Sequence, residues 1–184
     1  MPVPFLFVTT RREKVEEARR LGFLVEQRAL ELPEPQSLDP AEIAREKAAA
    51  AWERLRGPVL VEDSGLSVTA WGGFPGALVK WLERSAGLAA FARMLDGFPD
   101  RSAVARCALC YFDGRDAMAA VGEARGSLAE APRGSAGFGW DALFVPEGSA
   151  MTFAEMRPEE KDAVSHRGRA WRAFSEKLAA KGLL

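Results

Sequence analysis

Two neighbouring acids, Glu62 and Asp63, stand where an apolar run turns polar in PVLVEDSGLSVTAWGGFPG, residues 58–76. Val59, Leu60 and Val61 read as a short buried strand, because a compact β-branched run opened by Gly57-Pro58 suits a central strand better than a helical turn. Successive strand residues face opposite sides, so the two carboxylates cannot aim at one point while the strand stays regular. One is then the chemical group and the other its structural neighbour. Ligands in open α/β sheets collect beyond the carboxyl ends of strands, where Asp63, Ser64 and Gly65 are expected, and this makes Asp63 the candidate. A plain alternative stays open at this point: an acid at a strand end also caps turns or pairs with a surface base. A glycosidase-type carboxylate pair is disfavoured, since it needs both acids on one substrate.

Three other groups have residue types that suit an anionic, flat ligand. Thr9 to Glu13 turn a first strand, Phe5 to Val8, into a helix expected from Lys14 to Leu21, closed by Gly22. Such a turn gathers free backbone N–H groups with Arg11, Arg12 and Lys14 at a helix N-terminus, which seats a phosphate or is simply a solvated basic turn. In GSAGFGWD, residues 134–141, glycines around Phe138 and Trp140 let the backbone approach a flat ligand while the rings stack on it; core packing is the bland reading of the same rings. Lys161, Ser165, His166 and Arg167 are expected to open a final helix running to Lys181. Together these are the stackers, donors and bases of a nucleotide site.

The elements that must position them follow from local signals. Phe23 to Gln27 suggest a second strand, followed by a Pro-rich loop from Glu31 to Asp39. Asp39 N-caps a helix to Leu55, with Pro40 at its first position and Glu42 at its third in a capping-box-like start. Lys47 is the odd member of that helix's apolar stripe, a side chain that either snorkels or reaches a bound anion. After Gly76 the chain reads as helical with a break near Ser85 to Gly87. Arg101 to Phe112 and Ala117 to Arg125 read as antiparallel strands joined at Asp113-Gly114. The fold class expected is therefore α/β with a mixed sheet.

Composition removes several function classes. A chain of 184 residues, 48% hydrophobic and 28% charged, is most simply one globular domain, residues 1–184, able to bury a core without staples. Its formal net charge of −1 argues against nucleic acid or an anionic membrane surface as partner. No run of about 18 apolar residues exists, and MPVPFLFVTTRR lacks an export signal's pattern, so a cytoplasmic location is expected. Cys107 and Cys110 lie three apart in a strand and face opposite ways, which makes them buried thiols and not a chelating pair. With His166 the only histidine, multi-imidazole metal sites are excluded. P-loop and Rossmann glycine signatures are absent.

The chain resembles the inosine triphosphate pyrophosphatases, the Ham1-like family. The resemblance rests on VEDSGL with AWGGFPG at 61–76, GFGWDALFVPEG at 137–148, TFAEM at 152–156 and EEKDAVSHR at 159–167, in the family's order and approximate spacing. It implies an elongated mixed sheet, two lobes around a cleft and a homodimer, and Mg²⁺-dependent hydrolysis of ITP, dITP and XTP to the monophosphate and pyrophosphate. By the same resemblance Asp63 is the catalytic acid and a metal ligand, and Glu34 is the second metal carboxylate. Thr9, Thr10, Arg11, Arg12, Glu13 and Lys14 would cradle phosphate, with Lys47, Ser64 and Lys80 at substrate-contact positions. Phe138, Gly139, Trp140, Asp141, Lys161, His166 and Arg167 are similar to the base-recognition set, Lys161 being expected to face position 2 of the purine. One departure stands out: where the family reads T-G-N-x-x-K, this chain has Thr9-Thr10-Arg11-Arg12-Glu13-Lys14. Arg11 there could supply charge in place of amide hydrogen bonds, or leave a nucleotide-binding module with little turnover.

Overall fold

A computed structural model describes residues 4–182. Its sheet has seven strands: β1 (Phe5–Val8), β2 (Val25–Arg28), β3 (Val59–Val68), β4 (Pro75–Gly76), β5 (Ser102–Phe112), β6 (Ala117–Leu128) and β7 (Phe144–Pro146). The order is β2-β1-β3-β5-β6-β7, with β4 paired to β3. β1 pairs in parallel with β2 and β3, and every other pairing is antiparallel, so the sheet is mixed. Six helices flank it: α1 (Arg12–Arg20), α2 (Pro40–Leu55), α3 (Val79–Ala86), α4 (Leu88–Arg93), α5 (Pro158–Val164) and α6 (His166–Ala180). No described helix is long and apolar enough to cross a membrane.

β3 does not stop at Val61 as its apolar run suggests. It pairs with β5 without interruption from Val59↔Phe112 to Val68↔Ala103, and this long antiparallel ladder keeps residues 62–68 extended despite their polarity. Asp63, Ser64 and Gly65 therefore lie inside a strand and not beyond its carboxyl end. The strand end that matters belongs to β1, which stops with Val8 opposite Val61, two residues short of Asp63. Gly65 is required where it stands, because a Cβ there would sit 2.7 Å from the backbone nitrogen of Ala77, in the segment that crosses β3.

The helix boundaries differ in two places from those expected. α1 begins at Arg12, and the final helical region is two helices, α5 and α6, separated by Ser165, whose hydroxyl accepts from the Gly168 N–H at 3.0 Å. Lys161 thus belongs to α5. At the start of α2, Asp39 accepts from the Ala41 N–H, but Glu42 takes the Ser37 hydroxyl and leaves the capping box incomplete.

Three apolar clusters make the core. One packs α2 (Ala44, Ala48, Ala51) on Val59, Val61 and Cys110; a second packs α1 and α6 (Val15, Trp171, Phe174) on Phe7, Leu60 and Cys107. The parity of β3 is visible in this division, since Val59 and Val61 face α2 while Leu60 faces α6. The two thiols fall on opposite faces likewise. The third cluster holds Leu66, Phe91, Trp140, Phe144 and Phe153.

Candidate active site

Strand parity sends the two acids to different surroundings. Asp63, in step with Val59 and Val61, faces α2, where Lys47 Nζ lies 3.2 Å from its carboxylate. Glu62, in step with Leu60, faces α1 and α6, where Lys14 Nζ is at 3.1 Å and Arg167 Nε at 3.0 Å. The two carboxylates thus serve separate ionic networks. Glu62 and Asp63 therefore cannot act as a pair on one substrate.

Asp63, Lys47, Glu34 and Lys80 form the first network. Lys47 Nζ lies 3.0 Å from Glu34 and also donates to the Glu62 carbonyl, and Lys80 Nζ is 2.5 Å from the other Glu34 oxygen. Burial would raise the Glu34 carboxyl, but Lys47 and Lys80 outweigh it and hold it down at about 2. Burial prevails at Asp63, which is pushed up from 3.8 against the pull of Lys47 and Lys14. Lys47 is pushed down by burial but raised on balance by Asp63 and Glu34, and it stays charged.

The second network is almost dry. Glu17 on α1 receives Lys161 at 2.8 Å and Arg167 at 2.7 Å, and Lys161 also reaches Asp141 at 2.6 Å. Burial works to raise Glu17, yet Arg167 and Lys161 bring it to about 2. Asp141 accepts the Phe138 N–H at 2.8 Å, which fixes the turn that carries Phe138, Gly139 and Trp140. Phe138 lies 5.1 Å from both the Lys161 ammonium and the Arg167 guanidinium, within cation–π range.

Between the networks opens a cleft of about 430 Å³. Its lining brings together the lysine-rich group Thr9, Thr10, Arg11, Lys14, Glu34, Lys47, Asp63, Ser64 and Lys80 and the aromatic group Phe138, Gly139, Trp140, Asp141, His166 and Arg167. Arg12, Glu13 and Lys161 do not line it. Glu13 and Lys161 face a second cavity of about 150 Å³ behind Phe138, and Arg12 is exposed. Trp140 is largely buried, its ring 5.0 Å from that of His166. His166 is wholly buried, its two ring nitrogens have no hydrogen-bond partner among the described residues, and burial with Arg167 and Lys161 nearby drives it well below 6.5. At the head of α1 the Arg11 N–H donates to the Thr9 hydroxyl, and no side chain caps the helix, leaving first-turn N–H groups free for an anion.

The Ham1 family model matches residues 5–177, nearly the whole chain. This chain belongs to the Ham1 family. Among curated relatives, inosine triphosphate pyrophosphatase 1 of Trypanosoma cruzi is 43% identical over 162 residues, covering 87% of this chain and 83% of that protein. The dITP/XTP pyrophosphatase of Thermococcus kodakarensis is 41% identical over 176 residues, 94% of this chain and 95% of its own length. Among solved structures, a Ham1 protein from Coxiella burnetii superposes with a TM-score of 0.82 at 26% identity, covering 97% of this chain and all of that one. The nucleoside-triphosphatase, or dITP/XTP pyrophosphatase, of Mycobacterium abscessus gives 0.71 at 33% identity, covering 92% and 97%.

Sequence reasoning treated Glu62 as a neighbour of the chemistry and overlooked Glu17 on α1 and Glu83 on α3. Glu17 had one local signal, its place in α1 between buried Val15 and Ala18.

Proposed function

We propose that this Ham1 protein hydrolyses ITP, dITP and XTP to the monophosphate and pyrophosphate, and so removes deaminated purines from the nucleotide pool. The observation that carries this is the polarity of the cleft: lysine-bridged carboxylates at one end, a half-buried ring with an unpartnered imidazole at the other. The names of the relatives support the substrate class.

Two carboxylates fixed about 3 Å from one ammonium, Lys47 Nζ, form a donor set suited to a hard divalent cation, which takes one or two protein carboxylates and fills its shell with phosphate oxygens and water. No group of three or more acidic, thiol or imidazole ligands occurs among the described residues, so a self-sufficient protein cage is not on offer. Glu34 and Asp63 would hold Mg²⁺. Bound there, the ion would neutralise phosphate oxygens and the charge growing on the departing pyrophosphate.

Lys47 and Lys80 would turn from carboxylates to phosphate oxygens as the substrate enters, as would Lys14, whose partner Glu62 keeps Arg167, and Thr9, Thr10, Arg11 and the first turn of α1 would seat the chain of phosphates. Asp63, its proton affinity raised by burial, would accept the proton of water attacking the α-phosphorus. Catalysis would then rest on positioning and charge, with no covalent intermediate.

At the other end Phe138 offers a face to the purine. In the tautomer whose N–H faces the base, His166 would donate to hypoxanthine's 6-oxo group, and adenine's 6-amino group would leave that donor unpaired. Residues 1–184 would act as one catalytic domain in the cytoplasm, and as a homodimer by likeness to the family. One panel tests the reading: ITP, XTP, dITP, GTP and ATP, with and without Mg²⁺, scored by product. Pyrophosphate from ITP and XTP, little from GTP or ATP, is expected; orthophosphate, binding without turnover, or equal rates on ATP would refute it.

A further inference from the structure

Among the described residues, Glu83 is a carboxylate without a partner in a cleft whose other inner acids all have one. Glu34 and Asp63 are held by lysines and Asp141 by Lys161, while Glu31 is exposed to solvent. Glu83 lines the same cleft, is partly buried, and its carboxylate enters no hydrogen bond or ion pair among the described residues. Burial raises its pKa, and Arg11 and Arg84 oppose this from a distance. An ionised carboxylate only accepts hydrogen bonds, so its complement must be a donor. The phosphates of a nucleotide cannot be that complement.

Position along α3 says which part of the substrate is. Lys80 and Glu83 are three residues apart and share a helix face, about one turn along the axis, roughly 4.5 Å. Lys80 is tied to Glu34 at the phosphate end. Glu83 lies one turn further, against the turn that carries the aromatic end: a Cβ built on Gly139 would be 3.6 Å from its Oε2. Between the phosphates and the base of a nucleotide stands the sugar, whose hydroxyls are donors.

We infer that Glu83 accepts a hydrogen bond from the 3′-hydroxyl of the substrate's sugar, and so selects for an unmodified 3′ position. The inference rests on the proposed nucleotide cleavage and goes beyond it. The 3′-hydroxyl is chosen over the 2′ because ribo- and 2′-deoxyribonucleotides, ITP and dITP alike, both carry it. A 3′-deoxy or 3′-blocked triphosphate would leave the carboxylate facing nothing.

The test compares wild type, Glu83→Ala and Glu83→Gln on ITP, dITP and 3′-deoxy-ITP, reading kcat/KM for pyrophosphate release. Because a hydrogen bond to a charged group is worth a factor of about 10–100, wild type should favour ITP and dITP over 3′-deoxy-ITP by roughly that ratio. Glu83→Ala should remove the preference by lowering ITP and dITP turnover while 3′-deoxy-ITP stays within about twofold, and Glu83→Gln, which keeps an acceptor oxygen, should fall between. A wild type indifferent to the 3′-hydroxyl overturns the inference, as does an alanine variant that slows all three substrates equally. Either result would leave the base panel above intact, whereas a wild type releasing no pyrophosphate from ITP would remove the reading beneath it.

Discussion

The two ionic networks use the same ingredients and differ in their access to water. At the phosphate end, Glu34 and Lys80 keep side-chain exposures of 29% and 33%, and Lys47 and Asp63 of 13% and 12%. In the web behind the aromatic turn, Glu17, Glu62, Asp141, Lys161 and Arg167 are all at or below 6%. A buried ion pair cannot exchange partners without stranding a charge, so the dry web holds α1, α5, α6 and β3 in fixed relation. Pairs at the edge of water can be traded for a phosphate or a metal at small cost. The dry network therefore suits a scaffold, and the wet one suits the chemistry proposed above.

Breaking one partner in each should give opposite phenotypes. Glu17→Gln leaves Lys161 and Arg167 short of an anion and is expected to destabilise the fold by about 3–5 kcal/mol in urea denaturation. Asp63→Asn leaves Lys47 with Glu34 and should cost little stability, while pyrophosphate release falls about 10³-fold. If Asp63→Asn unfolds the protein and Glu17→Gln only slows it, the assignment of scaffold and chemistry is reversed.

The wet network was partly legible in the sequence and the pairings of the dry one were not, for a physical reason. Glu34 and Lys80 came only from the family resemblance, and Asp63 was favoured for a strand end that it does not occupy, but Lys47 was conspicuous as a charge in an apolar helical stripe and parity sent Asp63 and Glu62 to opposite sides. Those are local signals. Glu17 pairs with Lys161 and Arg167 across 144 and 150 residues, and no helical or strand period records a partner that distant. The mixed sheet was likewise legible from the Asp113-Gly114 hairpin, but the full length of β3 was not. Its polar half is kept extended by β5, a neighbour that residues 62–68 do not themselves announce. The break between α5 and α6 was concealed because Ser165 reads equally as helix interior and as cap.

His166 lies beside the dry network, near Arg167, Lys161 and Glu17, and sharpens the comparison. Its ring lies between Trp140 and Phe153, with centroids 5.0 and 5.9 Å away, and both nitrogens lack partners. Replacement by Phe should stabilise the fold by about 1–3 kcal/mol, since two buried polar atoms no longer go unsatisfied, and should weaken selection of ITP over ATP. The pH dependence carries a sign. The folded-state pKa lies well below the unfolded 6.5, so the stability due to a neutral His166 is full above pH 6.5 and is lost as pH falls from there toward the folded value. Wild type should therefore lose stability with acid below pH 6.5, and the Phe variant should lose less over the same interval, as thermal melts at pH 7.5 and 5.5 would record.

The smallest effect separates the networks by salt. Arg11, the departure from the family's first motif, lines the cleft, and its guanidinium has no hydrogen-bond or ion-pair partner among the described residues. Its attraction for a triphosphate acts partly through water and is screened as ionic strength rises, with a Debye length of about 10 Å at 0.1 M and about 3 Å at 1 M. Arg11→Ala should raise KM for ITP by about fivefold at low salt, a figure in keeping with the roughly 1 kcal/mol of an exposed pair, and by much less at high salt. The destabilisation by Glu17→Gln should hardly respond to the same salt, because few ions reach a dry web. Were the Arg11 effect as indifferent to salt as the Glu17 effect, Arg11 would be making a desolvated contact, and the phosphate end would be as closed as the web behind it.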